Sequence, residues 1–198
     1  MTDNEATILT ILKLHKGIVT TSQVTEAGIP RRCLGEMVES GVIYRVERGI
    51  YALPEAWEDE MFFVQYRFSR GVFSHETALY LHGMTDRTPI RYTMTFPFGY
   101  NTGSVKQQGI IAKLSTEEIY DLGIIEMSSP AGNKIKVYDI ERTLCDIAKS
   151  RHKADIQVIN QAMKTYANSK EKDIAKLMSY ASQLRVKPKV LMYMEVLL

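Results

Sequence analysis

Apolar residues near the start of the chain recur with helical spacing. The first set lies on one helical face and consists of Ile8, Leu9, Ile11 and Leu12. Thr2 and Glu5 have the spacing of a capping box just before this face. Lys16 and Gly17 are typical of a helix end, because a cation and then a glycine favour the last turn and the residue after it. The pattern therefore predicts a helix that ends near residue 16.

Two shorter helices are predicted next. Thr21 or Ser22 is expected to cap the first of them, and Gly28 to end it. The second is expected over residues 30–40, since proline is favoured at the first position of a helix. The residues expected to face inward from these two helices are Val24, Ala27, Leu34, Met37 and Val38.

After Gly41 the apolar spacing changes to every second residue, which indicates strands. Residues 42–53 read as a β-hairpin, with a tight turn at Glu47-Arg48-Gly49. The order of helix, short helix, turn, helix and hairpin is that of a winged helix-turn-helix. We therefore expect a DNA-binding domain over residues 1–54 and a second domain over residues 55–198.

The second domain has a mixed pattern. Trp57, Met61, Val64 and Phe68 lie at helical spacing. Beyond them we expect a short helix from His75 to His82, followed by strands at residues 92–98, 109–114 and 134–138 and by helices at residues 139–149, 155–166, 170–184 and 188–197. The predicted fold class is α+β: an N-terminal winged helix-turn-helix, then a mixed domain with a small sheet and several C-terminal helices.

Composition narrows the function classes. The chain has 198 residues, a net charge of +2 and two cysteines. It has no CxxC pair or Cys/His ligand cluster, so no metal and no cofactor is expected. The polar N-terminus and the absence of a long apolar run predict a cytoplasmic protein without a membrane partner. No P-loop, dinucleotide fingerprint or nucleophile elbow is present, so we do not expect an enzyme.

Arg31 and Arg32 are the first candidates for DNA contact. They stand in the first turn of the predicted recognition helix, which is the part that meets base edges. Arginine suits guanine O6 and N7 or phosphate, and Glu36 can accept from cytosine N4. Gly35 lies on the same outward side and lets the helix approach closely. The alternative is a charged face exposed to solvent on an ordinary helix.

The hairpin and the start of the second helix supply further DNA-binding candidates. Arg45 and Arg48 lie on and at the tip of the predicted wing, where cations position a protein on the DNA backbone. Lys16, Thr21 and Ser22 surround a helix start, where amides and hydroxyls bind phosphate. The alternatives are a hairpin tip kept soluble by charge and simple helix capping.

The histidines and cysteines are candidates for a metal site or for redox sensing. His75 and His82 are seven residues apart, which is two helical turns and too far for direct chelation of one metal. We expect them to be structural. Cys33 follows Arg32 near a helix start, and together with Cys145 it raises the alternative of a redox sensor. Burial as two small core residues is the favoured interpretation.

The modest net charge conceals a basic C-terminal third. Residues 134–198 contain 13 lysines and arginines against 7 aspartates and glutamates. In the helix expected from Asp139, a stripe separate from the apolar face carries cations. Because phosphate neutralisation supplies much of DNA affinity, we expect an auxiliary contact to the DNA backbone there. Its residues are Arg142, Lys149, Arg151 and Lys153.

Three segments resemble those of AbiEi-type antitoxins of abortive-infection systems. They are residues 48–54 (RGIYALP), 74–83 (SHETALYLHG) and 137–146 (VYDIERTLCD). The resemblance implies a winged-helix repressor that binds inverted repeats in its own promoter. It also implies a C-terminal antitoxin domain that counters a nucleotidyltransferase-like toxin without having to bind it, as in type IV toxin–antitoxin systems. It implies no catalytic residues, and the DNA-contact role falls on residues 30–40 and 42–53.

Two alternatives remain. One is a stand-alone regulator whose C-terminal domain binds a ligand or senses redox state. The other is a nucleic-acid enzyme that uses a winged helix for targeting. A toxin gene next door, a ligand that alters DNA affinity, or acidic residues converging on a metal would distinguish the three functions.

Overall fold

A computed structural model describes residues 2–149 and 155–197 and has the predicted α+β fold. The chain forms two compact units, one of residues 1–64 with 128–134 and the other of residues 65–127 with 135–198. The first unit contains α1 (Asp3–Leu14), β1 (Ile18–Thr20), α2 (Thr21–Glu26), α3 (Arg32–Glu39), β2 (Tyr44–Glu47) and β3 (Ile50–Ala52). Helix α4 (Glu60–Arg67) begins in the first unit and ends in the second.

The second unit contains a five-stranded sheet and most of the helices. Its strands are β4 (Val72–Phe73), β5 (Thr93–Pro97), β6 (Ile111–Ser115), β7 (Ile124–Ser128) and β8 (Lys134–Tyr138). Its remaining helices are α5 (His75–Leu81), α6 (Gly103–Gln107), α7 (Glu117–Tyr120), α8 (Ile140–Ala148), α9 (Ile156–Asn168), α10 (Ile174–Gln183) and α11 (Lys187–Leu197).

The order of elements in the first unit is the one predicted, with one addition. The expected capping box is present at α1, where Glu5 accepts from the Thr2 amide at 2.7 Å. Strand β1 was not predicted, and it pairs antiparallel with β3 to give a three-stranded sheet of order β1-β3-β2. The cap of α2 was assigned wrongly to Thr21 or Ser22. Thr20 caps it instead and forms a capping box with Gln23, because β1 runs directly into the helix.

The first unit also extends beyond the expected boundary after Pro54. Asp59 is buried and accepts from Ser129 Oγ and from Asn133 Nδ2, so a segment seventy residues away packs into this unit. Asp59 also accepts from the Phe62 amide at 3.0 Å, which fixes the start of α4. Trp57 therefore lies before the helix with 86% of its surface exposed, and its assignment to the helical face was wrong.

The sheet of the second unit has the order β6-β5-β4-β8-β7. Strand β4 lies between its antiparallel neighbour β5 and its parallel neighbour β8, while β5 and β6 pair in parallel. The three predicted strands are confirmed as β5, β6 and β8. Strands β4 and β7, and the short helices α6 and α7, were not predicted.

The four C-terminal helices were predicted correctly in kind and order. Their core includes Leu144, Met163, Leu177 and Val190. Helix α10 starts later than expected, because Asp173 accepts from the Lys176 amide at 2.8 Å and caps the helix there.

The side chain of Arg142 is enclosed within the second unit and is only 1% exposed. Its Nε donates to Asp146 at 3.0 Å, and its Nη1 donates to the carbonyl oxygens of Ile119 and Leu122. The guanidinium also stacks on Tyr138, with Cζ 4.1 Å from the ring centroid. One side chain thus joins α8 to β8 and to the segment between β6 and β7.

This burial contradicts the auxiliary DNA contact expected along α8. The Arg142 guanidinium is used inside the protein and cannot reach a phosphate. Lys149 lies 3.6 Å from Asp146 with its side chain only 13% exposed, so it also points toward this network. Arg151 and Lys153 lie outside the described residues. The charge count was correct, but the assignment of Arg142 and Lys149 to an outward stripe was wrong.

We predict that Arg142→Ala lowers the free energy of unfolding by about 3–5 kcal/mol, because Asp146 loses its buried partner. The matched control is Arg87→Ala, which removes an exposed ion pair to Asp155 at 2.8 Å and should cost about 1 kcal/mol or less. Urea unfolding followed by circular dichroism measures both variants. Equal losses would contradict a structural role for the buried guanidinium.

Candidate nucleic-acid interface

Helix α3 presents the predicted candidates on one exposed face. Arg31 occupies the N-cap position and Arg32 the first helical position, and both side chains are exposed. Gly35 and Glu36 are exposed one turn further on. The residues buried on the opposite face are Cys33, Leu34 and Met37. The predicted orientation of this helix is confirmed.

The turn before α3 fixes where the arginines stand. Gly28 adopts a φ of 74°, and the Ile29 amide donates back to the Val24 carbonyl at 3.0 Å. Arg31 Nε donates to Thr25 Oγ1 at 2.9 Å, which ties the arginine to the end of α2. This bond uses Nε, while the terminal nitrogens of an arginine are the groups that bind guanine or phosphate in a bidentate manner.

Gly35 opens the middle of the exposed face. A Cβ atom built at this position meets no atom within 4 Å, so the space above it is open. A surface such as a DNA groove can therefore approach the α3 backbone closely at this point.

The hairpin of β2 and β3 forms the predicted wing. Its register shifts between Arg45 and Glu47, which is a β-bulge, and Arg45 Nε donates to the Glu47 carbonyl at 3.3 Å. The turn consists of Arg48 and Gly49, and Gly49 has a φ of 84° that favours glycine. Arg45 and Arg48 are both exposed, as predicted for residues that meet a DNA backbone.

The remaining predicted contacts lie around the start of α2. Ser22 is exposed in the first turn, whereas Thr21 is half-buried and its amide donates to the Gly49 carbonyl of the wing turn at 2.9 Å. Lys16 is exposed and has a φ of 55°. It borders a cavity of about 560 Å³ with Trp57 and Pro130, so its side chain is placed against residues that the sequence did not connect with it.

The histidines are placed as structural residues. The ring of His82 hydrogen-bonds through Nε2 to the Tyr138 carbonyl at 2.8 Å, and His75 through Nδ1 to Ser74 Oγ at 3.1 Å. Within residues 2–149 and 155–197, no group of three His, Cys, Asp or Glu side chains is arranged to hold a metal ion.

The cysteines are free and buried in different units. Cys33 belongs to the core around α1 and α3, where Asn4 Nδ2 lies 3.7 Å from its sulfur. Cys145 is fully buried, and burial raises the pKa of its thiol to about 12. Because the thiolate is the reactive form, this thiol is poorly suited to sensing oxidants.

Comparison with known proteins finds a family match within the first unit. Residues 7–54 match the family described as "Transcriptional regulator, AbiEi antitoxin". The resemblance drawn from the sequence is confirmed over this segment, which contains most of α1, both short helices and the hairpin. The family description supports a role as a regulator and antitoxin.

A solved structure shares the fold of the whole chain. The RV2827C protein from Mycobacterium tuberculosis is 15% identical, with a TM-score of 0.54 over 98% of this chain and 82% of its own. At this identity the likeness concerns the fold alone. No curated protein matches the chain significantly. In the part of the chain that the structure describes, no helix is both long and apolar enough to cross a membrane.

We predict that a small side chain at Gly35 stabilises the fold and that a large one weakens DNA binding. Gly35→Ala should raise the free energy of unfolding by about 0.5–1 kcal/mol, because glycine weakens a helix interior and the site has room for Cβ. Gly35→Leu should keep the fold but reduce affinity for target DNA at least tenfold, because its side chain occupies the approach to the backbone. Thermal unfolding and gel shifts measure these effects. Wild-type DNA affinity in the leucine variant would contradict a close approach at this position.

Proposed function

We propose that this protein is an antitoxin that represses its own operon by binding inverted repeats in the promoter. The observation that carries the proposal is the exposed face of α3, where Arg31, Arg32 and Glu36 surround an open glycine position. This face belongs to the segment that matches the antitoxin regulator family. The arrangement of helix and wing is the one with which such domains enter a major groove.

The proposed contacts divide by role. Arg31 and Arg32 bind guanine edges or nearby phosphates from the first turn of α3, and Glu36 accepts from cytosine. Arg45 and Arg48 hold the backbone beside the groove, and Ser22 and Lys16 bind phosphate near α2. Two copies occupy inverted half-sites, because a symmetric operator requires two copies of the recognition helix.

The antitoxin role is assigned to residues 55–198. Its functional partner is a nucleotidyltransferase-like toxin in an abortive phage-infection system of type IV, in which the two proteins need not bind each other. The proposal places the protein in the cytoplasm and assigns it no catalytic activity and no cofactor.

A stand-alone regulator with a ligand-binding C-terminal domain is the second candidate function. The observation in its favour is a pair of adjoining cavities in the second unit, of about 740 and 310 Å³. Both volumes fall within the range of small-molecule sites. Toxin neutralisation and ligand binding are separate properties, and the experiments below measure them separately.

We predict that the double variant Arg31→Ala/Arg32→Ala binds its promoter at least tenfold more weakly, since each good base contact contributes about 1–3 kcal/mol. Gel shifts with the promoter and with an unrelated duplex measure the change. The matched control is Lys106→Ala/Lys164→Ala, which also removes two exposed positive charges but lies in the second unit. Equal affinities of the two double variants would contradict the role of α3.

We predict that the full chain restores growth when it is co-expressed with the neighbouring toxin gene, each from an unrelated promoter. The Arg31→Ala/Arg32→Ala variant should restore growth equally, because neutralisation is assigned to residues 55–198 and each gene is expressed from a promoter that the protein does not repress. Growth counts after induction measure protection. Failure of the wild-type chain to protect would contradict the antitoxin role, and failure of the variant alone would contradict the division between units.

A further inference from the structure

The second unit contains two cavities that adjoin at Thr116, Ile119 and Lys149. The larger has a volume of about 740 Å³ and lies between α7, the end of α8 and the turn from α10 to α11. The smaller has a volume of about 310 Å³ and reaches the sheet at β5 and β6. All of the residues that line them belong to this unit.

Positive charge prevails in the lining. Among the residues that the structure describes, the cations of the lining are Lys113, Arg142, Lys149, Arg185 and Lys189, and the anions are Glu118 and Asp146. Arg142 and Lys149 both face Asp146, so one pair of opposite charges balances there and a positive charge remains. Low-dielectric walls concentrate the field of such a cavity and favour an anionic ligand. The basic character of the C-terminal third is thus partly directed into a concavity rather than onto an outward stripe.

Buried polar groups are part of the lining of the smaller cavity. Thr95 and Ser115 are both buried side chains that line it. Thr95 Oγ1 donates to Ser74 Oγ at 2.9 Å, and Ser74 Oγ in turn lies 3.1 Å from His75 Nδ1. His75 lines the same cavity and has a φ of 53°, a conformation that is strained for a non-glycine residue. The smaller cavity is therefore lined by a strained residue and by hydroxyl groups, together with Lys113 and Lys149.

Apolar side chains also line both cavities. Phe98 and Leu114 belong to the smaller cavity and are exposed, Phe98 over 74% of its surface. Leu184, Val186 and Pro188 line the larger cavity. A ligand that contacts both the charged and the apolar lining carries a multiply charged anionic group and a flat organic group. An aromatic side chain such as Phe98 stacks on a nucleobase.

We propose that these cavities form a binding site for a nucleoside phosphate. The phosphates lie toward Lys113 and Lys149, where the hydroxyls of Thr95 and Ser115 stand nearby, and the base lies against the apolar lining. Inorganic phosphate satisfies only the first part of this site. Duplex DNA does not fit a concavity of this size, so the site is separate from the interface on α3.

Isothermal titration calorimetry of the full chain with ATP, GTP, CTP and UTP in turn tests the proposal. The four matching nucleosides and inorganic phosphate serve as probes of each half of the ligand. At least one nucleotide should bind with a Kd below about 100 μM, and its nucleoside and inorganic phosphate should bind at least tenfold more weakly. Absence of binding by all four nucleotides up to about 1 mM would overturn the proposal.

Charge variants locate the site. Lys113→Ala/Lys189→Ala should weaken nucleotide binding at least tenfold, because both lysines line the cavities and both are only partly buried. The control Lys106→Ala/Lys164→Ala should bind like the wild type. Equal affinities in the two double variants, or inorganic phosphate binding as tightly as the nucleotide, would overturn the assignment. Neither measurement involves promoter DNA or toxin. A negative result therefore overturns the nucleotide site without bearing on the proposed function.

Discussion

The proposed DNA-reading surface depends on the burial of one stripe of α3. Leu34 and Met37 pack in the core with Ile8, Leu12 and Val24, and all five side chains are at most 1% exposed. Burying a leucine or methionine side chain stabilises a fold by about 1.5–3 kcal/mol. Because consecutive helical residues are about 100° apart, rotating α3 by one residue would expose this stripe and bury charge. The core of the first unit therefore fixes which residues face outward.

The second unit depends on charges held inside it. Helix α8 is buried from Glu141 to Ala148, so its charged face is enclosed as well as its apolar face. Arg142 is neutralised by Asp146, while Glu141 accepts from Tyr166 at 3.0 Å and pairs with Lys176 at 3.1 Å. A buried charge is tolerated only when such partners surround it. The same network positions Lys149 beside both cavities.

Local signals predicted most of the helices and the hairpin, but they missed the features of both units that depend on distant segments. Caps, glycine stops and the change of apolar spacing after Gly41 predicted the helices and wing in order, since each is encoded within a few residues. Strands β1 and β4 have only three and two residues, and their pairing comes from distant segments. Likewise the contact of Asp59 with Ser129 and Asn133 has no local signature. The burial of Arg142 had one available sign, the i, i+4 spacing to Asp146.

We propose that this α3 face reads a symmetric site in the protein's own promoter. Hydroxyl-radical footprinting of that promoter with the purified full chain tests this proposal. We expect two protected half-sites of inverted sequence, with centres about 10 base pairs or a multiple of that apart. Uniform weak protection along the whole fragment, or no protection at protein concentrations that bind unrelated DNA, would contradict it.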